Sequence, residues 1–320
     1  MPIHSRSPSL ELPRIVWSTT KGLQVLPDPS VIALESQCIY QHSPTTVFKL
    51  GGTEEEGVMT ALAHLVLGRI VPQVLGVVSI ADMPKQSGLL LTRQPGKTVV
   101  SLWPSLTCEQ RAIVKSHLCD ALVCMRKYPF DYYGRPGGSP YATYDEFGTV
   151  IHDFCSTRED WDNSRIRALR MAAVDIDIDE PRCAQLEQVQ RQTRYDDRPV
   201  LTHGDLSDRN ILIDPDTLVI TGIIDWEEAA IMPAHYEYAQ ARLSGGHQPE
   251  WRKEILEVLR NVLRVECEAV RGEGAGEERY EKELAAWNKL VDVERAAQGY
   301  SDACYWTFES PINGTTITGV

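Results

Sequence analysis

The chain has 320 residues, 42% of them hydrophobic, enough to bury the core of one large domain or two ordinary ones and too many for a disordered chain. Lys and Arg number 32 against 45 Asp and Glu, a net charge of −13 whose sign is wrong for gripping a phosphate backbone, so no nucleic-acid partner is expected. The opening "MPIHSRSPSLELPRIVW" lacks the apolar centre of a signal peptide, and no apolar run reaches about 18 residues, which predicts a cytoplasmic protein with no membrane partner.

In chain order, "SQCIYQHSPTTVFKLGG" reads as two short strands around a Ser-Pro turn, and "QVLGVVSI" and "GLLLTR" as further strands. Between them, "TEEEGVMTALAHLVLG" has helical spacing at Val58, Met59, Leu62, Leu65 and Val66, and Thr53 and Glu56 stand at capping-box distance. The punctuated stretches "RQPGK" and "YGRPGGSPY" are candidate joints. After the first joint, Thr107 and Gln110 repeat the capping-box signature, and Ile113, Val114, Leu118, Ala121, Leu122 and Met125 line one helical face. "RPVLTHG", "NILID" and "LVITGIIDW" are β-rich, with Asp214-Pro215-Asp216 as a turn between the last two, and "EWRKEILEVLRNVLRVECEAV" is an amphipathic helix. The pattern predicts a two-lobed α+β protein, a small β-rich lobe joined to a larger, mainly helical one. The expected divisions are an N-terminal arm (1–28), a small nucleotide-binding lobe (29–92), a connector (93–97), a helical lobe (98–306) and a tail (307–320). Eight cysteines lie scattered, with no C-x-x-C pair and no His at zinc-finger spacing, and read as reduced thiols, mostly in the core.

The chemistry concentrates in "HGDLSDRN", His203 to Asn210. Transfer of a γ-phosphoryl group to a hydroxyl needs a carboxylate for the acceptor's proton and oxygen ligands for Mg²⁺. The spacing of Asp205 and Asn210 matches the kinase pattern H-R-D-x-x-x-x-N, with Gly204 in place of the Arg. Asp225 follows the apolar run "TGII" at the end of a predicted strand, where a second metal ligand is needed. Asp205 is thus the candidate base, and Asn210 and Asp225 the candidate metal ligands. His203 reads as a brace for the loop, and Arg209, Glu227, Glu228 and Glu237 as charges with structural or solvent roles. Trp226, Tyr236 and Tyr238 read as core.

The runs "LTHGDLSDRNILID" and "ITGIIDWEEAAIMPAHYEYAQA" resemble the aminoglycoside phosphotransferase-like family, in particular its fungal members, within the protein-kinase-like superfamily. The resemblance is tightest over Leu201 to Ala241 and extends more loosely from Lys49. It implies a protein-kinase-like fold, ATP as phosphoryl donor, Mg²⁺, and the same roles for Asp205, Asn210 and Asp225. "VFKL" resembles the lysine strand of the small lobe, so Lys49 is expected to bridge the phosphates, paired with a helix carboxylate. Glu55 lies in phase with Met59 and Leu62, whereas spacing to the "IVPQV" turn points to Glu56. "LTRQPGKTV" stands where the family's connector meets adenine, which places Thr92 and Gln94 beside the nucleotide. The expected function is an ATP- and Mg²⁺-dependent small-molecule kinase acting on a hydroxyl. D-F-G and A-P-E signatures of protein kinases are missing. Asp208, Glu227, Glu228 and Glu237 outnumber Arg209 near the site and favour an amine-bearing or neutral acceptor over an anionic one. The competing expectation is a catalytically silent nucleotide-binding or scaffold protein, since no glycine-rich phosphate loop stands between residues 30 and 48.

Overall fold

The computed structural model describes residues 10–300 except 22, 26–37, 83–86, 139, 146–147, 194–197, 244–248 and 270–274. The N-terminal part is a six-stranded sheet made of β1 (Arg14–Trp17), β2 (Gln24–Val25), β3 (Cys38–Ser43), β4 (Thr46–Leu50), β5 (Val74–Ile80) and β6 (Ser87–Thr92), in the order β1-β5-β6-β4-β3-β2. Residues 14–25, expected within an N-terminal arm, supply two of these strands. β1 pairs in parallel with β5, Arg14 opposite Val77 and Trp17 opposite Ile80, so the β-branched and aromatic side chains of "RIVW" find a sheet edge too distant in sequence to be foreseen. The expected tail, 307–320, lies outside the described residues.

Helix α1 (Glu54–Leu67) crosses the sheet, capped by Thr53, whose hydroxyl accepts the Glu56 N–H at 3.1 Å. The return half of the expected capping box is missing because the Glu56 side chain turns inward to Lys49. The buried face runs through Glu56, Met59, Thr60, Leu62 and Ala63, whereas Leu65, expected inside, is 55% exposed. Leu89 and Leu91 of β6 and Val77 of β5 cover one side of the sheet, and Phe48, Val78, Ile80 and Leu90 the other.

The connector does not stand free. Its last residue opens β7 (Lys97–Thr98), which pairs with the large-lobe hairpin, and the Thr221 hydroxyl donates to Pro95 O at 2.6 Å. Gly96 takes φ +100°, and a Cβ there would meet Ile213 O at 2.6 Å. The chain continues through α2 (Val99–Leu102) to α3 (Cys108–Arg126), which carries the complete Thr107–Gln110 capping box. An insertion follows, with hairpin β8 (Tyr141–Asp145) and β9 (Gly148–His152) and helices α4 (Arg158–Asp175) and α5 (Glu180–Gln192). Then come β10 (Pro199–Thr202), the hairpin β11 (Ile211–Ile213) and β12 (Ile220–Ile223), and β13 (Ala230–Pro233), which pairs with β10. Helices α6 (Tyr236–Leu243), α7 (Pro249–Ala269) and α8 (Ala275–Ala297) complete the lobe.

One core runs from Met59, Leu62 and Val71 of the small lobe through Val114, Leu118 and Leu122 of α3 to Leu206, Ile211 and Trp226 around the "HGDLSDRN" loop, and on to Trp251 and Leu259 of α7. Trp226, Tyr236 and Tyr238 are buried, as expected. Cys108, Cys119, Cys124, Cys155, Cys183 and Cys267 are free thiols, but only the last three are buried, because Cys108 and Cys124 fall on the outer face of α3. Among the described residues no helix is long and apolar enough to cross a membrane.

The position of α1 can be tested on its two leucines. Leu62→Ala, which empties a fully packed site, should cost about 2–5 kcal/mol, and Leu65→Ala within about 0.5 kcal/mol. Chemical denaturation of the two variants against the wild type checks the contrast.

Candidate active site

β10 delivers the chain into the His203–Asn210 loop, and buried braces hold that loop in place. The N–H groups of His203 and Gly204 donate to the two carboxylate oxygens of Glu237, at 2.6 and 3.1 Å. Glu237 sits at the start of α6 with 3% exposure, and burial raises its pKa while the two main-chain bonds oppose the shift. His203 Nδ1 accepts the Asp205 N–H at 3.2 Å, so Nε2 carries the proton and donates to Ile224 O at 2.9 Å. The ring packs on Trp226, centroids 4.6 Å apart. Further along, the Trp251 indole donates to Leu206 O at 2.8 Å, and the Val100 N–H donates to Asp208 O at 3.0 Å.

Three of the expected site residues converge here. Asn210 Nδ2 donates to the Asp205 carboxylate at 2.9 Å and to Asp205 O at 3.1 Å, which leaves its Oδ1 as the atom able to serve a cation. The Ile224 N–H donates to Asn210 O at 2.9 Å, so the residue before Asp225 is tied to the loop through both of its main-chain polar groups. Asp225 has φ 66°, a left-handed conformation that Asp tolerates better than most residues and that costs on the order of 1 kcal/mol or more. The Arg209 guanidinium lies 4.0 Å from the Asp205 carboxylate.

Lys49, on β4, reaches the same place from the small lobe. Its ammonium donates to Glu56 at 2.9 Å, Asp225 at 2.5 Å and Glu227 at 3.2 Å. Glu56 is therefore the helix carboxylate that meets Lys49, and Glu55 is exposed. Burial alone would lower the Lys49 pKa, but the charges of Asp225, Glu56 and Glu227 overcome it and hold the ammonium protonated well above its ordinary range. Burial raises the Glu56 pKa against the pull of Lys49, and the nearby charges of Asp225 and Glu227 add to the rise.

The two residues expected beside adenine, Thr92 and Gln94, take other partners. The Thr92 hydroxyl accepts the Gln73 N–H at 2.8 Å, and its own N–H donates to Gln73 O at 3.0 Å. The Gln94 amide nitrogen, turned toward the nearby acceptors, spans Arg69 O and Thr221 O at 3.0 and 2.9 Å. Both side chains are thus engaged by protein groups. Among the described residues no cluster of three or more His, Cys, Asp or Glu forms a metal cage. Mg²⁺ commonly takes one or two protein oxygens and completes its shell with phosphate and water, and Asn210 Oδ1 with the Asp225 carboxylate fits that donor set.

Glu237 has the structural role read from the sequence, but the expected acidic wall is not formed. Glu237 faces main-chain amides and Asp208 is buried, so neither forms an acidic wall, and Glu227 bonds Lys49 instead of solvent alone. Sequence reasoning also missed Arg135, which lies buried in the second candidate joint and donates to Ala229 O at 2.9 Å and to Glu227 O. The only signal was a cation embedded in the "YGRPGGSPY" turn, and nothing local marks which cation will be buried.

Gly204 has φ +85°, and a Cβ there would lie 2.7 Å from Glu228 O, a main-chain atom that cannot swing aside. Gly204→Ala should lower stability by about 1–3 kcal/mol through strain and displacement of the loop. Denaturant unfolding of the purified variant measures it.

Comparisons with known proteins bear on the family and the fold. The model of a family described as "Phosphotransferase enzyme family" matches residues 50–271. A thermostable mutant of aminoglycoside phosphotransferase APH(4)-Ia in its apo form is similar in structure at 15% identity, with 86% of each chain covered and a TM-score of 0.54. A further variant of that enzyme, in ternary complex with ADP and hygromycin B, is similar at 15% identity over 87% of this chain and 86% of its own, again with a TM-score of 0.54. No curated protein matches the sequence. Loop, hairpin, lysine strand and helix carboxylate all fall within or beside the matched span, and the chain belongs to the phosphotransferase enzyme family.

Proposed function

We propose that the protein is a small-molecule kinase that transfers the γ-phosphoryl group of ATP to a hydroxyl of a low-molecular-weight acceptor, with Mg²⁺. The observation that carries this reading is the meeting of Lys49–Glu56 from one lobe with Asp205, Asn210 and Asp225 from the other. Asp205, held by Asn210 and partly open to solvent, accepts the acceptor's proton and orients its oxygen. Lys49 steadies the phosphates, and Glu56 keeps its ammonium in place when Asp225 turns to the metal. Asn210 and Asp225 would hold Mg²⁺, which when bound neutralises charge on the phosphates. Three carboxylates around one ammonium would repel a bare triphosphate, which is the electrostatic reason for a cation at this place. Since the side chains of Thr92 and Gln94 are engaged elsewhere, the connector would meet adenine through main-chain groups. Glu227, on Lys49, and the half-buried Glu228 keep this end of the site acidic, which favours a neutral or amine-bearing acceptor. The nearby solved structure with hygromycin B supports a polyhydroxylated acceptor of this general kind.

A screen of ATP consumption over a library of hydroxylated metabolites tests the reading. On any substrate it finds, Asp205→Asn should lower kcat by at least ~10²-fold with little change in nucleotide affinity. Activity within a few-fold of the wild type would remove Asp205 from the role of base.

A second measurement addresses the metal. Thermal stabilisation by ATP should require Mg²⁺ and should weaken greatly in Asp225→Asn, because a nucleotide that binds only the native state raises its stability with the logarithm of its concentration over Kd. Equal stabilisation in the presence of a chelator would point instead to a catalytically silent nucleotide-binding protein.

A further inference from the structure

The stretch Tyr133–Arg135 reads in sequence as a joint, yet in the fold it is stitched on both sides. Gly134 N–H donates to Ile231 O at 2.7 Å and Ile231 N–H to Gly134 O at 2.9 Å, while Tyr133 and Cys155 exchange bonds of 2.8 and 2.9 Å. This double bridge carries Arg135 beneath the stretch that joins Asp225 to β13. The guanidinium Nε–H donates to Ala229 O at 2.9 Å and an Nη2–H to Glu227 O, and the face of the group lies 4.3 Å from the centroid of the Tyr141 ring. Arg135 is 8% exposed. A buried cation whose donors go to main-chain oxygens is costly, and a site that merely needed packing would be served by an apolar residue.

The geometry explains what the cost sustains. Asp225 has a left-handed backbone, and the chain turns back at once, Ala229 N–H donating to Trp226 O at 3.2 Å. The two carbonyls clasped by Arg135 lie on that turn, two and four residues beyond Asp225. From the same turn Glu227 sends its carboxylate to Lys49, next to the carboxylate of Asp225. A planar guanidinium holds its donors in a fixed fork that fits these two carbonyls while its face stacks on Tyr141, whereas a lysine ammonium is a point charge on a flexible stem with neither the fixed fork nor the stacking face.

We propose that Arg135 is a positioning residue for the metal-binding segment: its clasp on Glu227 O and Ala229 O, backed by Tyr141, holds the turn that aims the Asp225 carboxylate. The inference rests on the proposed function, since it assigns Asp225 to the metal. It also joins the insertion, through the Tyr133–Cys155 bridge, to the phosphate end of the site.

The test is a thermal-shift titration of MgCl₂ at fixed ATP, on the full chain, comparing wild type with Arg135→Lys and Arg135→Gln. The half-saturating Mg²⁺ concentration should rise about tenfold or more in both variants, the usual scale for loss of a group that orients a metal ligand, and the conservative lysine should not rescue it. Tyr141→Leu, which removes the ring under the guanidinium, should raise it about threefold and decides the matter if the Arg135 variants do not fold. A lower Tm without nucleotide but an unchanged Mg²⁺ midpoint would show a merely structural arginine and overturn the proposal. Should the wild type itself show no Mg²⁺-dependent stabilisation, the proposed function fails and the positioning role falls with it. A normal wild-type response with unshifted variants overturns the positioning role alone.

Discussion

Ile224 gives its main-chain N–H to Asn210 O and receives the His203 Nε2–H on its own carbonyl, and the rest of the site depends on that pair of bonds. Asn210 stands just before β11 and Asp225 just beyond β12, so the antiparallel pairing of Ile211 with Ile223 already brings the two ends of the hairpin together. Locking Ile224 then removes the remaining freedom. A slip of one residue in this register would turn the side chains of β12 to opposite faces and shift the strand end that leads into Asp225. The His203 ring, packed against Trp226, ties the loop to the strand end that leads into Asp225.

Within the site, one charge joins the small lobe to this frame. Lys49 is buried and reaches Glu56 on its own side and Asp225 and Glu227 across the cleft, so a single ammonium spans both lobes. Its burial makes the contact strong, because the low local dielectric magnifies each interaction and makes an unpaired charge untenable. The same burial raises the Glu56 pKa, with the charges of Asp225 and Glu227 adding to it. The continuous core from Met59 through Leu118 to Leu206 keeps the lysine strand and the loop in one packed unit despite the connector between them.

Around this frame, buried polar groups from distant elements satisfy main-chain atoms that loops would otherwise leave bare. Glu237 takes the N–H groups of His203 and Gly204, Trp251 the carbonyl of Leu206, and Arg135 those of Glu227 and Ala229. Each removes a desolvation penalty that a buried, unpaired backbone group would carry. The irregular backbone of the site, with left-handed Gly204 and Asp225, is stable because three side chains far away in sequence meet its polar atoms.

Much of this protein was determined by sequence alone, wherever the cause is local. The hairpin between Asn210 and Asp225 follows from apolar runs flanking an Asp-Pro-Asp turn, the start of α3 from the Thr107–Gln110 box, and the acid–amide–acid constellation from spacing that a loop and a short strand cannot alter much. Other features were decided by tertiary structure. Whether Glu55 or Glu56 meets Lys49 depends on how α1 rolls against the sheet, since neighbouring helical residues differ by only about 100° around the axis. The strand Arg14–Trp17 needed β5 as a partner, the side chains of Thr92 and Gln94 were taken by main-chain groups of the folded protein, and Glu237 became a brace where charge in sequence suggested a wall. Sequence specifies which atoms can bond and how far apart they start along the chain. Which of them lose water together is set only when the lobes pack, and that choice turns the same carboxylate or guanidinium into a solvated charge or a structural clasp.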